Sequence, residues 1–542
     1  MENLIPSRSD MIKSISDKEY DVVIVGGGVT GAGVARDAIL RGLKVLLLEK
    51  GDFASGTSSM TSKMIHGGLR YLKNYEFRLV RQAALERRVH LDIAPHLAEV
   101  REFLVPLYKW NPDGTFMLRL GLILYNLLAL PKRIGKHKNL DPKKLVEKMS
   151  LLENDDLIGG ALFHDVVTND ARLTLANCLS AAAGGADIIN YMEMDSWETY
   201  DGEVHVKATD VLTTKTYEIT AKYIILCVGP WSQITESKGI DFEGQARVRL
   251  TRGTHIVLKK KVIEYPCLLM NEDNRPIFLI PGDNYDLAGT TDLDHDGTPD
   301  DVKPTFEEVE YILNAVNKLF PNMKYSENDV IASFAGVRPL VSKEGVKEGK
   351  VSREHSIFQD RTNRTVTIVG GKLTTYRVMS KQALDKVIKA MGTLKGKCMT
   401  QKLPLWGGEV DDWESFKSEK IEELQNEFSL SSASANMLVK WYGSEVDYFK
   451  EFIKQNGTTL LLPNRPWLEA QVIYSCRVEL AQTPIDVLRR RTNIMFEENN
   501  GENILDKVVE LMSEELKWDT QKQNLMKTQT LEYINNFIRV SK

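Results

Sequence analysis

The chain has 542 residues and a mass of 61.3 kDa, with 42% hydrophobic, 27% charged and 8% aromatic residues. That composition excludes a disordered, collagenous or small disulfide-scaffold chain and gives enough length for two or three packed domains. Lys and Arg number 70 against 75 for Asp and Glu, so the net charge of -5 leaves no basic footprint and nucleic acid is not an expected partner. Cys178, Cys227, Cys267, Cys398 and Cys476 form no C-x-x-C pair, which argues against a disulfide framework and a zinc site and for a reducing compartment. The N-terminal stretch carries Glu2, Asp10, Asp17 and Glu19 and has no apolar core of signal-peptide length. No uncharged stretch is longer than the 14 residues of Leu173 to Ala186, short of the roughly 18 that a spanning helix needs.

From Tyr20 onward, DVVIV leads into GGGVTGAGVARDAILRGLKVLLLEK, which reads as strand, glycine turn, helix and second strand ending at Glu49. Short β-like runs return at Tyr223–Gly229, His255–Leu258, Pro276–Ile280, Tyr285–Thr291 and Thr365–Gly371, with helical patterning between several of them. This mixed α and β character persists to about Pro404 and predicts one composite region over residues 1–405, a nucleotide-binding part interleaved with a sheet domain. The Pro- and Gly-containing stretch Leu403–Asp412 is the expected linker, and residues 411–542 pattern as a separate helical domain.

Gly26-x-Gly28-x-x-Gly31 follows the strand and opens the helix, where small residues allow a tight turn, close approach of a pyrophosphate to backbone N–H groups, and helix-on-strand packing. Glu49 lies 21 residues past Gly28, at the end of the second strand, where a carboxylate can accept hydrogen bonds from ribose hydroxyls. Together these predict a dinucleotide but do not separate FAD from NAD. The following segment, Ser58 to Leu72, holds hydroxyls, Lys63, His66, a Gly pair, Arg70 and Tyr71, more polar donors than a connector needs. Such a set suits a flavin and an anionic substrate, and a solvated loop is the plain alternative.

With these residues in view, the chain resembles the FAD-dependent glycerol-3-phosphate dehydrogenases of the aerobic, quinone-linked type. The resemblance runs through GGGVTGAGVARDA, TSSMTSKMIHGGLRYL, YEFRLV, NDARLTLAN, VGPW, RGTHIVL, GTTD, GVRPL and GGKLTTYR. It departs at Met60, where the family has a small residue, and at Cys227-Val228, where it commonly has Ala-Thr. The fold it implies is a glutathione-reductase-like α/β FAD-binding fold, with flavin parts at about 20–90, 150–250 and 330–395, an interleaved mixed β-sheet substrate domain and a C-terminal α-helical domain. The resemblance implies FAD contacts from Gly26, Gly28, Gly31, Glu49, Thr57, Ser58, Ser59, Ser62, Lys63, His66, Gly67, Gly229, Gly371, Leu373 and Thr374.

The implied substrate, sn-glycerol 3-phosphate, is a dianion with a secondary alcohol. Its site needs cations for the phosphate, a group to take the hydroxyl proton, and the flavin N5 to accept hydride from C2. Matched family positions are His255, Arg338 and Lys372 for catalysis and Arg70, Tyr71 and Arg353 for substrate binding. Imidazole makes His255 the expected base and the guanidinium makes Arg338 its electrostatic partner, while a structural histidine at a strand end is the competing reading. His90, His96, His137 and His164 show no metal-ligand spacing.

Electrons then pass to a membrane quinone, or, in the oxidase alternative, to oxygen. Apolar Met117–Pro131 beside Pro131–Lys148, which holds seven Lys or Arg, suits peripheral contact with the inner face of the cytoplasmic membrane, or else a core helix followed by a charged loop. Arg489, Arg490 and Arg491 admit two readings, facing solvent or pairing with acids. A homodimer is compatible with the sequence and not specified by it.

Overall fold

The computed structural model of the protein describes residues 4–111, 114–153, 155–232, 246–259, 261–271, 273, 275–343, 354–392 and 396–540. In chain order its sheets use β1 (Glu19–Val25), β2 (Val45–Leu48), β3 (Ala98–Tyr108), β4 (Leu157–Thr168), β5 (Asp187–Ile189), β6 (Thr216–Leu226), β7 (Ala246–Leu258), β8 (Cys267–Met270), β9 (Pro276–Pro281), β10 (Asp286–Gly289), β11 (Val330–Lys343), β12 (Ser356–Asp360) and β13 (Thr365–Val369). Five helices matter to the site: α1 (Val29–Leu40), α2 (Phe77–Ile93), α3 (Thr115–Leu128), α4 (Asp170–Ala183) and α5 (Tyr376–Met391).

The first sheet has the order β12-β13-β6-β1-β2-β5, with β13, β6, β1, β2 and β5 parallel and an antiparallel hairpin, Met192–Tyr200 and Glu203–Asp210, running off β6. In β1 every residue after Glu19 is buried, as expected of a parallel strand covered by helices on both faces. Helix α1 supplies one cover, and it lies against α5 so closely that a Cβ on Gly33 would stand 2.7 Å from the Tyr376 ring. The second sheet, β11-β7-β10-β9-β8-β3-β4, is antiparallel apart from the β8/β3 contact. A parallel α/β sheet beside a mixed second sheet is the arrangement that the resemblance implies.

After β13 the described residues form no further named strand, and helices Trp413–Phe428, Ser432–Tyr442, Val446–Asn456, Glu469–Arg477, Leu505–Leu516 and Thr520–Tyr533 follow. Arg489, Arg490 and Arg491 are buried rather than solvent-facing. Arg490 Nε donates to Asp52 Oδ2 at 2.6 Å and Arg491 Nη2 to Asp52 Oδ1 at 2.9 Å. Arg489 has no carboxylate partner among the described residues and instead lies over the Phe496 and Phe334 rings at 4.5 and 5.0 Å. Among the described residues no helix is long and apolar enough to cross a membrane.

Candidate active site

β1 runs into the glycine turn, and α1 starts at Val29 with Gly28 as a cap that offers no side-chain hydrogen bond and with no acid in the first turn. The first turn of the helix itself thus places no acid at its positive end, which suits an anion there. A Cβ on Gly31 would sit 1.9 Å from the Gly26 carbonyl oxygen, so only glycine lets the helix abut the turn. Gly31→Ala is expected to leave folded protein holding less than about a tenth of the wild-type flavin, read from visible absorbance. Glu49 stands at the end of β2, where its two carboxylate oxygens accept from the Gly27 and Gly51 amides at 2.6 and 2.8 Å. Burial pushes this carboxyl up, and those amides oppose the rise; two donors leave carboxylate lone pairs for ribose hydroxyls.

The hydroxyl-rich loop after β2 divides its side chains among several elements. Thr57 Oγ1 donates to the Val337 carbonyl at 2.7 Å, bridging to the second sheet, and Ser58 Oγ accepts from the Val29 amide at 2.9 Å, at the start of α1. Ser59 is fully buried and its Oγ has no hydrogen-bond partner among the described residues, an orphan that suits a cofactor polar atom. Lys63 is also buried, and its ammonium donates to Asp170 at 2.7 Å, so its charge is already matched inside the protein. Gly229 takes a φ of 52° at the turn after β6, and open space lies where its Cβ would be. Gly371, with a φ of 97°, leads into the short turn Leu373–Thr375 that begins α5, where Thr374 Oγ1 donates to the His66 carbonyl at 3.2 Å.

Loop and sheets enclose a cavity of about 550 Å³. Its polar end is lined by Ser62, His66, Tyr71, Arg338 and Lys372, with Thr290 and Asp292. His255, on β7, stands one hydrogen bond behind this wall: its Nε2 meets Ser62 Oγ at 2.8 Å and its ring stacks on Phe334 at 5.0 Å. Burial, then the charges of Arg338 and Lys63, lower its pKa to about 3. Arg338, on β11, donates from Nη2 to Thr290 Oγ1 at 3.2 Å and from Nη1 to Asp292 at 3.4 Å. The Lys372 ammonium lies 3.3 Å from the Tyr71 ring centroid, a cation–π contact that seats the lysine beside the cavity. Arg353 and the side chain of Arg70 lie outside the described residues. Thr290 and Asp292 were not among the expected site residues, although the GTTD motif that carries them stands in the sequence.

The same cavity is lined by apolar Leu107, Leu118, Leu124, Phe163, Leu268 and Phe278, and also by Asn111, Asp165 and Arg275. Helix α3 supplies part of this lining. Its other face is open, with Phe116 74% and Leu127 59% exposed.

Residues 21–371 match the family model described as FAD dependent oxidoreductase, and residues 398–523 match the C-terminal domain of alpha-glycerophosphate oxidase. The aerobic glycerol-3-phosphate dehydrogenase of Staphylococcus haemolyticus is 34% identical over 536 residues, covering 96% of this chain and 95% of that protein. That of Bacillus subtilis is 34% identical over 530 residues, covering 95% of each. The crystal structure of the glycerol-3-phosphate dehydrogenase from Bacillus halodurans, complexed with FAD, superposes with a TM-score of 0.81 at 28% identity and covers 99% of this chain and 98% of that one. The close-packed glycine turn, the remaining carboxylate lone pairs of Glu49 and the orphaned Ser59 hydroxyl fit such a cofactor. The chain accordingly belongs to the FAD-dependent oxidoreductases and, within them, to the aerobic glycerol-3-phosphate dehydrogenase family.

Proposed function

We propose that the protein oxidises sn-glycerol 3-phosphate at C2 to dihydroxyacetone phosphate and delivers the electrons to a membrane quinone. The observation that supports this reading is one cavity whose wall carries the cations Arg338 and Lys372 together with many apolar side chains. Bound FAD supplies the hydride acceptor, N5 of its isoalloxazine ring. Lys372, with Arg70, Tyr71 and Arg353, holds the phosphate, since a pocket with several cations favours a dianion over a neutral polyol. Arg338 polarises the C2 oxygen and stabilises negative charge as it develops there. The C2 hydroxyl proton passes to His255, directly once substrate displaces the Ser62 bond or by way of the Ser62 hydroxyl. The FAD-binding region, residues 1–405, and the helical region, residues 411–542, act as two domains.

The acceptor side rests on α3. Phe116, Met117, Leu120, Ile123 and Leu127 are exposed on that helix, and Lys132, Arg133, Lys136 and Lys138 are exposed just after it. An apolar helix beside basic residues suits the anionic inner leaflet, with about 1 kcal/mol for each basic residue near the surface.

The test is anaerobic addition of sn-glycerol 3-phosphate while flavin absorbance near about 450 nm is followed. Rapid bleaching, reversed quickly by a quinone analogue and slowly by air, is the expected result. Fast recovery in air would replace the quinone with oxygen as acceptor, and no bleaching of flavin-loaded protein would overturn the substrate.

A further inference from the structure

Helix α3 lines the cavity, yet of its 14 residues only Leu122 and Tyr125 are buried. Tyr125 is thus the one buried side chain of α3 that carries a polar atom. Its hydroxyl accepts from Arg87 Nη1 of α2 at 2.7 Å and donates to Asp165 Oδ2 of β4 at 3.2 Å. Arg87 also donates to Asp165 Oδ1 at 2.7 Å, and the same oxygen accepts from the Gly67 amide at 3.3 Å. All three residues are at most 2% exposed, so water does not compete for these bonds and their geometry is closely set.

The network ends on the backbone that shapes the polar end of the cavity. A Cβ on Gly67 would stand 2.2 Å from the Tyr125 hydroxyl, so helix and loop touch directly. Gly68, with a φ of 79°, turns the chain so tightly that its own Cβ would meet the Tyr71 ring at 2.3 Å. Tyr71 in turn carries Lys372 on its face. We infer that Tyr125 is a positioning residue for substrate oxidation: it ties the seat of α3, through Asp165 and the Gly67–Gly68 backbone, to the Tyr71–Lys372 pair. The inference rests on the function proposed above. Its physical content is a chain of packed groups with one hydroxyl at the joint, so whatever shifts α3 reaches the phosphate end of the cavity.

Tyr125→Phe keeps the ring that packs edge-on against Phe163 at 6.3 Å and deletes only the hydroxyl. In anaerobic flavin reduction its KM for sn-glycerol 3-phosphate is expected to rise about tenfold, with the saturating rate within about threefold of wild type. The inhibition constant of inorganic phosphate should rise in parallel. Asp165→Asn should also raise KM, and the double variant Asp165→Asn/Tyr125→Phe should fall well short of the product of the two effects, because both act at one contact. A Tyr125→Phe protein with unchanged KM and unchanged phosphate inhibition overturns the inference, as does one that loses only thermal stability or flavin content, or a double variant whose effects multiply. Wild-type protein that fails to bleach would instead sink the functional reading.

Discussion

His255→Gln is expected to slow flavin reduction by sn-glycerol 3-phosphate by about 10²- to 10⁴-fold while leaving flavin content intact. Stopped-flow bleaching under argon measures this directly. The imidazole is buried, stacked on Phe334 and hydrogen-bonded to Ser62, and it has no described role in holding the dinucleotide turn. Ser62→Ala separates the two proton routes: a loss as deep as that of His255→Gln places the hydroxyl in the path, and a loss within about threefold leaves direct transfer. Because burial, Arg338 and Lys63 hold the ring neutral down to about pH 3, kcat/KM should show no acid limb from His255 between about pH 5 and 8. A bound dianion opposes those cations, so the limb due to His255 should lie at higher pH in kcat than in kcat/KM. The same depression affects stability. Between about 3 and the ordinary 6.5 the unfolded chain takes up a proton that the folded chain refuses, so this contribution is lost as pH falls through that window.

The second large effect is thermodynamic. Asp52→Ala should lower stability by about 3–5 kcal/mol, measured as a fall in the urea midpoint of the flavin-loaded protein. Burial disfavours the Asp52 carboxylate, but Arg491 and Arg490 outweigh it and hold the group below its usual range. Asn190 Nδ2 adds a donor at 3.1 Å. Removing the carboxylate strands two buried guanidinium groups, since Arg490 keeps only Asp486 and Arg491 keeps the Glu479 carbonyl with a more distant Glu479 carboxylate. Asp52→Asn, which preserves shape, should lose nearly as much, showing that charge rather than volume is at stake.

The nucleotide unit was readable because its determinants are local: strand, turn, helix and acid lie within the segment Glu19–Glu49. The long strands of the second sheet were harder to see. β4 reads LIGGALFHDVVT, with a glycine pair and polar His164 and Asp165 breaking its alternation, and β11 contains Pro339. Its cation and acid partners were harder still. Ser62 and His255 are 193 residues apart, and Thr57 meets Val337 across 280, so nothing in the loop's own spacing told which hydroxyl served which element. Lys63 looked like a cofactor ligand by type, while its pairing with Asp170 depends on α4 packing beneath the loop. Met117–Pro131 was legible as apolar, but that it lines a cavity while leaving Ile123 and Leu127 exposed follows only from tertiary placement.

The pairing of Asp52 with Arg490 spans 438 residues, and that separation also sets a time. At ribosomal rates of 5–20 residues per second, the carboxylate waits about 20 to 90 s before its guanidinium partners are synthesised. Throughout that interval the nascent nucleotide-binding half carries, next to its glycine turn, an acid destined for burial that has nothing to neutralise it. Docking of the last quarter of the chain thus completes the electrostatics of the first tenth, and chains truncated before Arg490 should emerge colourless even though every glycine of the fingerprint is present.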